Sequence, residues 1–178
     1  MGITGIGSYN GSSAYYVQKT KMNSKQVQEF KSASTVINLH MGDENSGDKA
    51  LTSVGFPDGS SYSVFHGDGN GQYRVKRWDG KEDAKEYNVN AYNVRADDAN
   101  YLEMLALSTH LDVTGQTKNA FGDFISAAGG VNGDLSFGIN GFDQKYNFKS
   151  LIAEFMQGQY DAGNLTGYMS VKSLYDHL

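Results

Sequence analysis

The sequence predicts an α+β domain, an antiparallel β-meander of four to five strands packed by C-terminal helices. Between residues 34 and 91, branched and aromatic residues form short stretches separated by Gly, Asp and Asn, the grammar of strands and reversals. After Val94 the apolar spacing becomes helical. Of the 178 residues 39 % are apolar and 12 % aromatic, enough for one core and too much for a disordered chain even with 22 glycines. These observations imply a single domain over residues 24–178, preceded by an irregular arm over residues 1–23.

In residues 1–23, Gly, Ser, Asn and Tyr mix without a sustained period, which predicts the arm. Ser24 can cap a short helix in which Val27 and Phe30, three apart, share one face. From Thr35 to Met41 the β-branched content predicts a strand, and residues 43–48 supply a polar turn. The stretches Ser53–Phe56 and Tyr62–Phe65 flank Pro57, Asp58, Gly59 and Ser60. There Pro presets one turn dihedral and Gly accepts positive φ, so a hairpin is expected.

A second reversal at residues 67–71 leads into Tyr73–Trp78. Strict alternation puts Tyr73, Val75 and Arg77 on one side of that strand and Arg74, Lys76 and Trp78 on the other, which predicts one wet sheet face. Asp79 and Gly80 turn the chain into a last strand from Ala84 to Val89.

Asp97 or Asp98 can cap a first long helix reaching Leu111, with Leu102, Met104, Leu105, Leu107 and Leu111 as its apolar surface. Ala120, Phe121, Phe124, Ile125 and Ala128 predict a second helix, stopped by Gly129 and Gly130. Phe148, Leu151, Ile152, Phe155 and Met156 have i, i+3, i+4, i+7, i+8 spacing, the clearest amphipathic helix in the chain. Val171, Leu174, Tyr175 and Leu178 predict a terminal helix. Between the second and third helices, residues 130–133 (Gly-Val-Asn-Gly) recur as residues 138–141 (Gly-Ile-Asn-Gly). Two copies are too few for a solenoid, so the repeat reads as two Asn-Gly turns around Leu135, Ser136 and Phe137.

The absence of Cys excludes disulfides, cysteine-ligated zinc, iron–sulfur clusters and cysteine nucleophiles. A net charge of −5 argues against a general phosphate-binding surface. The charge is uneven: residues 1–41 carry four basic residues against one acidic, residues 42–95 seven against nine, and residues 96–178 four against ten. No stretch is long and apolar enough for a membrane helix, and no basic-then-apolar leader opens the chain, so a cytoplasmic location is expected.

Gly67, Gly69 and Gly71 suggest a phosphate loop, but such a loop should open a helix and this one precedes a strand. Asp68, Asn70 and Gln72 alternate as calcium ligands do, with Asp79 at the twelfth position. However, Tyr73 stands where the sharp bend needs Gly. A turn explains both patterns. His66 with Asp68, and His110 with Asp112, each place an imidazole two residues before a carboxylate. On a strand end such a pair can ligate one cation, whereas on a helix the two side chains point apart.

Tyr15, Tyr16, Arg74, Lys76 and Trp78 are the residue types enriched in interaction hot spots, and they form the expected binding set. The acidic residues between Asp79 and Asp97 disfavour a direct nucleic-acid contact.

Three segments occur in order: Met1-Gly2-Ile3-Thr4-Gly5-Ile6-Gly7 with Tyr15-Tyr16, then Val75-Lys76-Arg77-Trp78-Asp79-Gly80-Lys81-Glu82, then Ala96-Asp97-Asp98-Ala99-Asn100-Tyr101-Leu102-Glu103-Met104-Leu105-Ala106-Leu107. As a set they resemble small proteins of unknown function encoded by clostridial gut bacteria. In those, a β unit ending in a Trp–Gly hairpin precedes an Asn-Ala-x-x-x-Glu-Met-x-Ala-Leu helix; here Asp98 replaces the Asn. The resemblance covers about 35 residues well, the arm weakly and residues 115–178 not at all, and it implies no activity, substrate or cofactor.

The expected function is therefore non-enzymatic protein–protein interaction, with a protein partner, no cofactor, no metal, no direct nucleic acid and no membrane. Two alternatives use other features. One is a phage or mobile-element inhibitor of the anti-CRISPR kind, whose acidic face blocks a nucleic-acid-binding enzyme. The other is a metal-assisted hydrolase using His66 and Asp68.

Overall fold

The computed structural model describes residues 16–19, 27–32, 35–43, 47–79, 84–130, 136–139 and 141–178, with the backbone alone at 16–19, 27–32, 35–38, 130 and 136. Among the described residues seven strands precede five α-helices: β1 Tyr16–Lys19, β2 Val27–Ser32, β3 Thr35–His40, β4 Thr52–Gly55, β5 Ser61–His66, β6 Gln72–Trp78 and β7 Lys85–Asn90, then α1 Tyr101–Val113, α2 Ala120–Gly130, α3 Ser136–Ile139, α4 Phe148–Asp161 and α5 Leu165–Tyr175. The main sheet is antiparallel, with order β1-β4-β5-β6-β7, and β2-β3 is a separate hairpin. The predicted α+β architecture is thus the observed one, with β4 to β7 as the meander and the helices packed on it.

The turns form as their residues dictate. Between β4 and β5, the Phe56 amide donates to the Ser60 carbonyl at 2.8 Å, and the Asp58 carboxylate accepts from the Ser60 amide at 2.9 Å and hydroxyl at 2.6 Å. Between β5 and β6, Gly71 has φ +73°, and a Cβ there would meet the Tyr92 ring at 2.4 Å. Glycine is therefore required at Gly71 twice, by dihedral and by close approach.

Register assigns the two faces. Thr52, Val64, Val75 and Tyr87 form one row across β4 to β7, facing the helices; Ser53, Ser63, Lys76 and Glu86 form the next row on the opposite face. The helix-facing side builds the core. Helix α1 is buried almost all round from Tyr101 to Leu111, as a central helix must be, and packs on β5 to β7 and on α2. Rings from several elements meet there: Tyr101 lies edge-on to Tyr62 at 5.5 Å, and Phe124 edge-on to Phe148 at 5.4 Å.

Tyr62 donates to the Gly138 carbonyl and accepts from Arg77 Nε at 3.0 Å. Burial pushes its phenol above the usual range despite the adjacent Arg77 guanidinium, so it stays neutral. At Gly138 a Cβ would meet the Phe56 ring at 2.2 Å, so α3 lies against the core only because this residue has no side chain.

Several local expectations are corrected. Val27–Phe30 is the start of strand β2, not a helix, because it pairs with β3 from Val27 opposite His40 to Ser32 opposite Thr35; Ser24 lies outside the described residues. A three-residue apolar spacing supplies too few contacts to outweigh that ladder. Tyr16–Lys19 of the expected arm forms β1 on β4, while residues 1–15 and 20–23 lie outside the described residues. The cap of α1 is Asn100, not Asp97 or Asp98. Its side chain accepts from the Glu103 amide at 2.9 Å while Glu103 accepts from the Asn100 amide at 2.7 Å, a reciprocal capping box, and Asp97 pairs with Arg95 instead. Ser136 and Phe137, expected between two Asn-Gly turns, open a helical turn, Ser136–Ile139; residues 131–135 and 140 lie outside the described residues.

Candidate functional site

The sequence puts Arg74, Lys76 and Trp78 on one side of β6, and the structure agrees, but that side is covered where the sequence predicts a wet face. Strand β3 lies across β4 and β5, and the segment that follows it carries Asp43 and Asp48 over β6. Lys76 Nζ sits 2.6 Å from the Asp43 carboxylate, with side chains only 9 % and 3 % exposed, and 3.3 Å from Glu86. Arg74 reaches Asp43 and Glu86 at 3.3 Å each, also binds Asp48, donates to the His66 carbonyl at 3.1 Å and lies over the Phe65 ring. Burial would lower the Arg74 pKa, but Glu86, Asp43 and Asp48 outweigh it and hold the guanidinium above its ordinary value. Both cations are thus engaged in an internal clasp.

Trp78 is half-buried under the His40 imidazole, the two rings parallel within 2° and 4.1 Å apart. The same imidazole's Nδ1 is 2.9 Å from the Ser61 hydroxyl. Beneath it, the Ser63 hydroxyl donates to the His40 carbonyl and accepts from the Ser53 hydroxyl at 2.7 Å. These three serines are completely buried, so a face that alternation marks as polar is polar and enclosed, its hydroxyls satisfied by one another, by the His40 ring and by the backbone of β3. Of the remaining expected residues, Tyr16 is described by its backbone as the first residue of β1, opposite Gly55, and Tyr15 lies outside the described residues.

His66 and Asp68 are exposed, and the His66 ring stacks on Tyr73 at 6.0 Å. Among the described residues no three His, Asp or Glu side chains converge as metal ligands. His110 is buried at the end of α1, its Nδ1 3.0 Å from the Tyr73 hydroxyl and the Tyr92 ring edge-on at 5.0 Å. Burial lowers its pKa. Asp112, two residues on, faces elsewhere: its carboxylate accepts from the Ala120 amide at 2.8 Å and the Phe121 amide at 3.2 Å, capping α2. The two His-x-Asp pairs therefore serve separate roles.

Large apolar side chains do reach the surface at the turn between α4 and α5. Tyr160, Leu165 and Met169 are 55 %, 62 % and 61 % exposed. Leu165 and Met169 are one turn apart on the same face of α5, and Tyr160 packs edge-on against Tyr168 at 5.5 Å. Asn164 fixes the start of α5 by accepting from the Gly167 amide at 3.1 Å. The sequence signal for this patch is a remainder. Tyr160 falls off the Phe148–Met156 stripe, and Leu165 and Met169 fall opposite Val171 and Leu174, so neither helix can bury them against its own core face.

Among the described residues no helix is long and apolar enough to cross a membrane. No family model matches the chain, and no curated protein or solved structure is detectably similar to it.

Proposed function

We propose that the protein is a non-enzymatic interaction module that docks a protein partner at the α4–α5 turn. The supporting observation is the group of Tyr160, Leu165 and Met169, whose apolar surface is more than half exposed and is left uncovered among the described residues. Large, exposed aromatic and thioether side chains of this kind supply contact area at modest conformational cost. Asp161 lies beside them, and residues 96–178 hold ten acidic residues against four basic. The partner surface that fits is therefore apolar at its centre and basic at its edge.

The acidic-decoy alternative draws less support. Its carboxylates would form one face, whereas Asp97, Glu103 and Asp176 hold Arg95, Lys145 and Lys172, and Asp112 and Asp123 bond neighbouring helices.

A photo-crosslinking amino acid placed at Leu165 or Met169, and at the exposed Asp143 as a control, tests the proposal in the native host. One discrete adduct is expected at Leu165 and Met169, absent at Asp143, with the Leu165 adduct abolished by Met169→Asp. Adducts that are absent, or identical at all three positions, overturn it.

A further inference from the structure

The main sheet ends at β7, and among the described residues no strand lies beyond it. One bond fixes which way its backbone groups point. The Ala91 amide donates to the Gly71 carbonyl at 2.8 Å, which makes residues 71 and 91 a hydrogen-bonded pair continuing the β6-β7 ladder. Bonded and non-bonded pairs alternate in an antiparallel ladder, so Val89, Tyr87 and Lys85 bond to β6, opposite Tyr73, Val75 and Arg77. Glu86, Asn88 and Asn90 therefore turn their N–H groups away from the sheet, and Glu86 and Asn88 their carbonyls as well. Glu86 and Asn88 are exposed, and Asn90 is still extended at φ −95° and ψ 109°.

An edge of this kind is usually blunted by Pro, by a bulge or by inward-pointing charge. None of these is present on β7. The chain's single Pro is Pro57, and the register runs unbroken from Gln72 opposite Asn90 to Arg77 opposite Lys85. Lys85 and Glu86, the charged residues of β7, stand at its first two positions.

We infer that β7 pairs antiparallel with β7 of a second copy of this chain, about a two-fold axis at Asn88. In that register Asn88 faces its own counterpart, and the two exchange both backbone bonds. Glu86 faces Asn90 of the second copy, whose amide donates to the Glu86 carbonyl. The Asn90 side-chain oxygen accepts from the Tyr92 amide at 3.0 Å, which leaves its NH2 to donate to the Glu86 carboxylate across the axis. On the helix side Tyr87, half-buried beside Phe142, comes opposite Val89, an aromatic and β-branched pair of the kind that stabilises adjacent strands. Lys85 faces Ala91, so no like charges are opposed.

The same pattern selects the register. An axis at Asn88 engages all three outward residues of both copies. Moved to Tyr87 or Val89 it leaves one of them without a facing strand residue. At Glu86 it sets two carboxylates face to face, and at Asn90 it runs into the 3-10 turn Ala91–Asn93. The edge goes beyond the α4–α5 docking proposal, because β7 packs on β6 and α1. A six-residue edge is a small contact, below the ~1,200 Å² of standard interfaces, so the expected dissociation constant is about 10–100 µM.

Sedimentation velocity of the full chain from about 10 to 500 µM should show the mass rising from one chain to two. Over the same range the amides of Glu86, Asn88 and Asn90 should gain protection from hydrogen exchange, while those of Tyr87 and Val89 are protected throughout. Asn88→Lys and Asn88→Asp each set like charges opposite one another at the axis, and each should weaken the dimer at least about ten-fold. Mixed in equal amounts they set opposite charges there and should restore it. Both variants should keep the parent Tm at about 10 µM, where the chain is mostly monomeric, since Asn88 is exposed. A parent of one-chain mass at about 500 µM, single variants that assemble as the parent does, or a mixture that stays at one-chain mass overturns the inference. So does a dimer that Met169→Asp dissolves and Asn88→Lys does not, which would seat it at the α4–α5 turn. Crosslinking at Leu165 reads a different surface, and Asn88→Lys should leave it unchanged.

Discussion

The His40 imidazole lies flat on the Trp78 indole, centroids 4.1 Å apart and planes 2° from parallel, and this stack joins the β2-β3 hairpin to the end of β6. Trp78 is the chain's single tryptophan, so its emission reports this contact alone. His40→Ala should uncover one indole face, shifting the emission maximum to the red and increasing quenching by acrylamide. An unchanged spectrum would mean that the stack does not shield Trp78 in solution.

The pairing of Lys76 with Asp43 is a charge interaction nearly out of water, and there the loss of one partner matters more than the pair's net contribution. Lys76→Met should destabilise the fold by about 3 kcal/mol in urea denaturation, because the enclosed Asp43 carboxylate keeps only part of its compensation. Asp43→Asn should act in the same direction. The double variant should lose less than the two single losses together, which a double-mutant cycle measures directly. Moderate salt should change none of these differences, since burial limits screening.

His110 predicts the sign of one pH effect. Its folded-state pKa lies below the ordinary 6.5 because burial disfavours the imidazolium, so the unfolded chain binds the proton more readily. The stability associated with the neutral ring is complete above pH 6.5 and is lost as pH falls through 6.5 toward the lower folded value. Urea midpoints taken across that window should rise with pH in the parent chain and rise less in His110→Gln. In a histidine NMR titration, the His110 ring should change its shift below pH 6.5.

The strands from β3 to β7 and four of the helices were legible because their signals are local: Pro57 and Gly59 set a turn, and Phe148 to Met156 repeat at one helical period. The errors occur where distant groups decide. Val27 and Phe30 satisfy a helical spacing, yet the ladder to β3 makes them strand. Asp97 is a good cap by residue type, but Arg95 engages it and the Asn100–Glu103 pair caps three residues later. The same limit governed the site. Alternation correctly put Arg74, Lys76 and Trp78 on one face, but nothing local to β6 reveals that Asp43, Asp48 and His40 close over it. Tyr160, Leu165 and Met169 were visible only as apolar residues left off the buried stripes, which identifies exposure after helix packing is known.

Two glycines should respond oppositely to the same added methyl group. Gly158 lies inside α4 with helical backbone, and a Cβ there meets nothing within 4 Å, so the fold gains no packing from its absence. Alanine removes conformational freedom from the unfolded chain and raises helix propensity, so Gly158→Ala should stabilise by about 0.5–1 kcal/mol. Gly71 combines φ +73° with a Tyr92 ring 2.4 Å from where a Cβ would stand. Gly71→Ala should therefore destabilise by about 1–3 kcal/mol, through left-handed strain and displacement of Tyr92 from His110. Replacing Tyr92 by Ala in that background removes the clash but leaves the dihedral, so it should restore part of the loss and no more. Full restoration would assign the cost to sterics alone, and no restoration would assign it to the backbone. Thermal unfolding of the four variants Gly158→Ala, Gly71→Ala, Tyr92→Ala and the double variant decides between them.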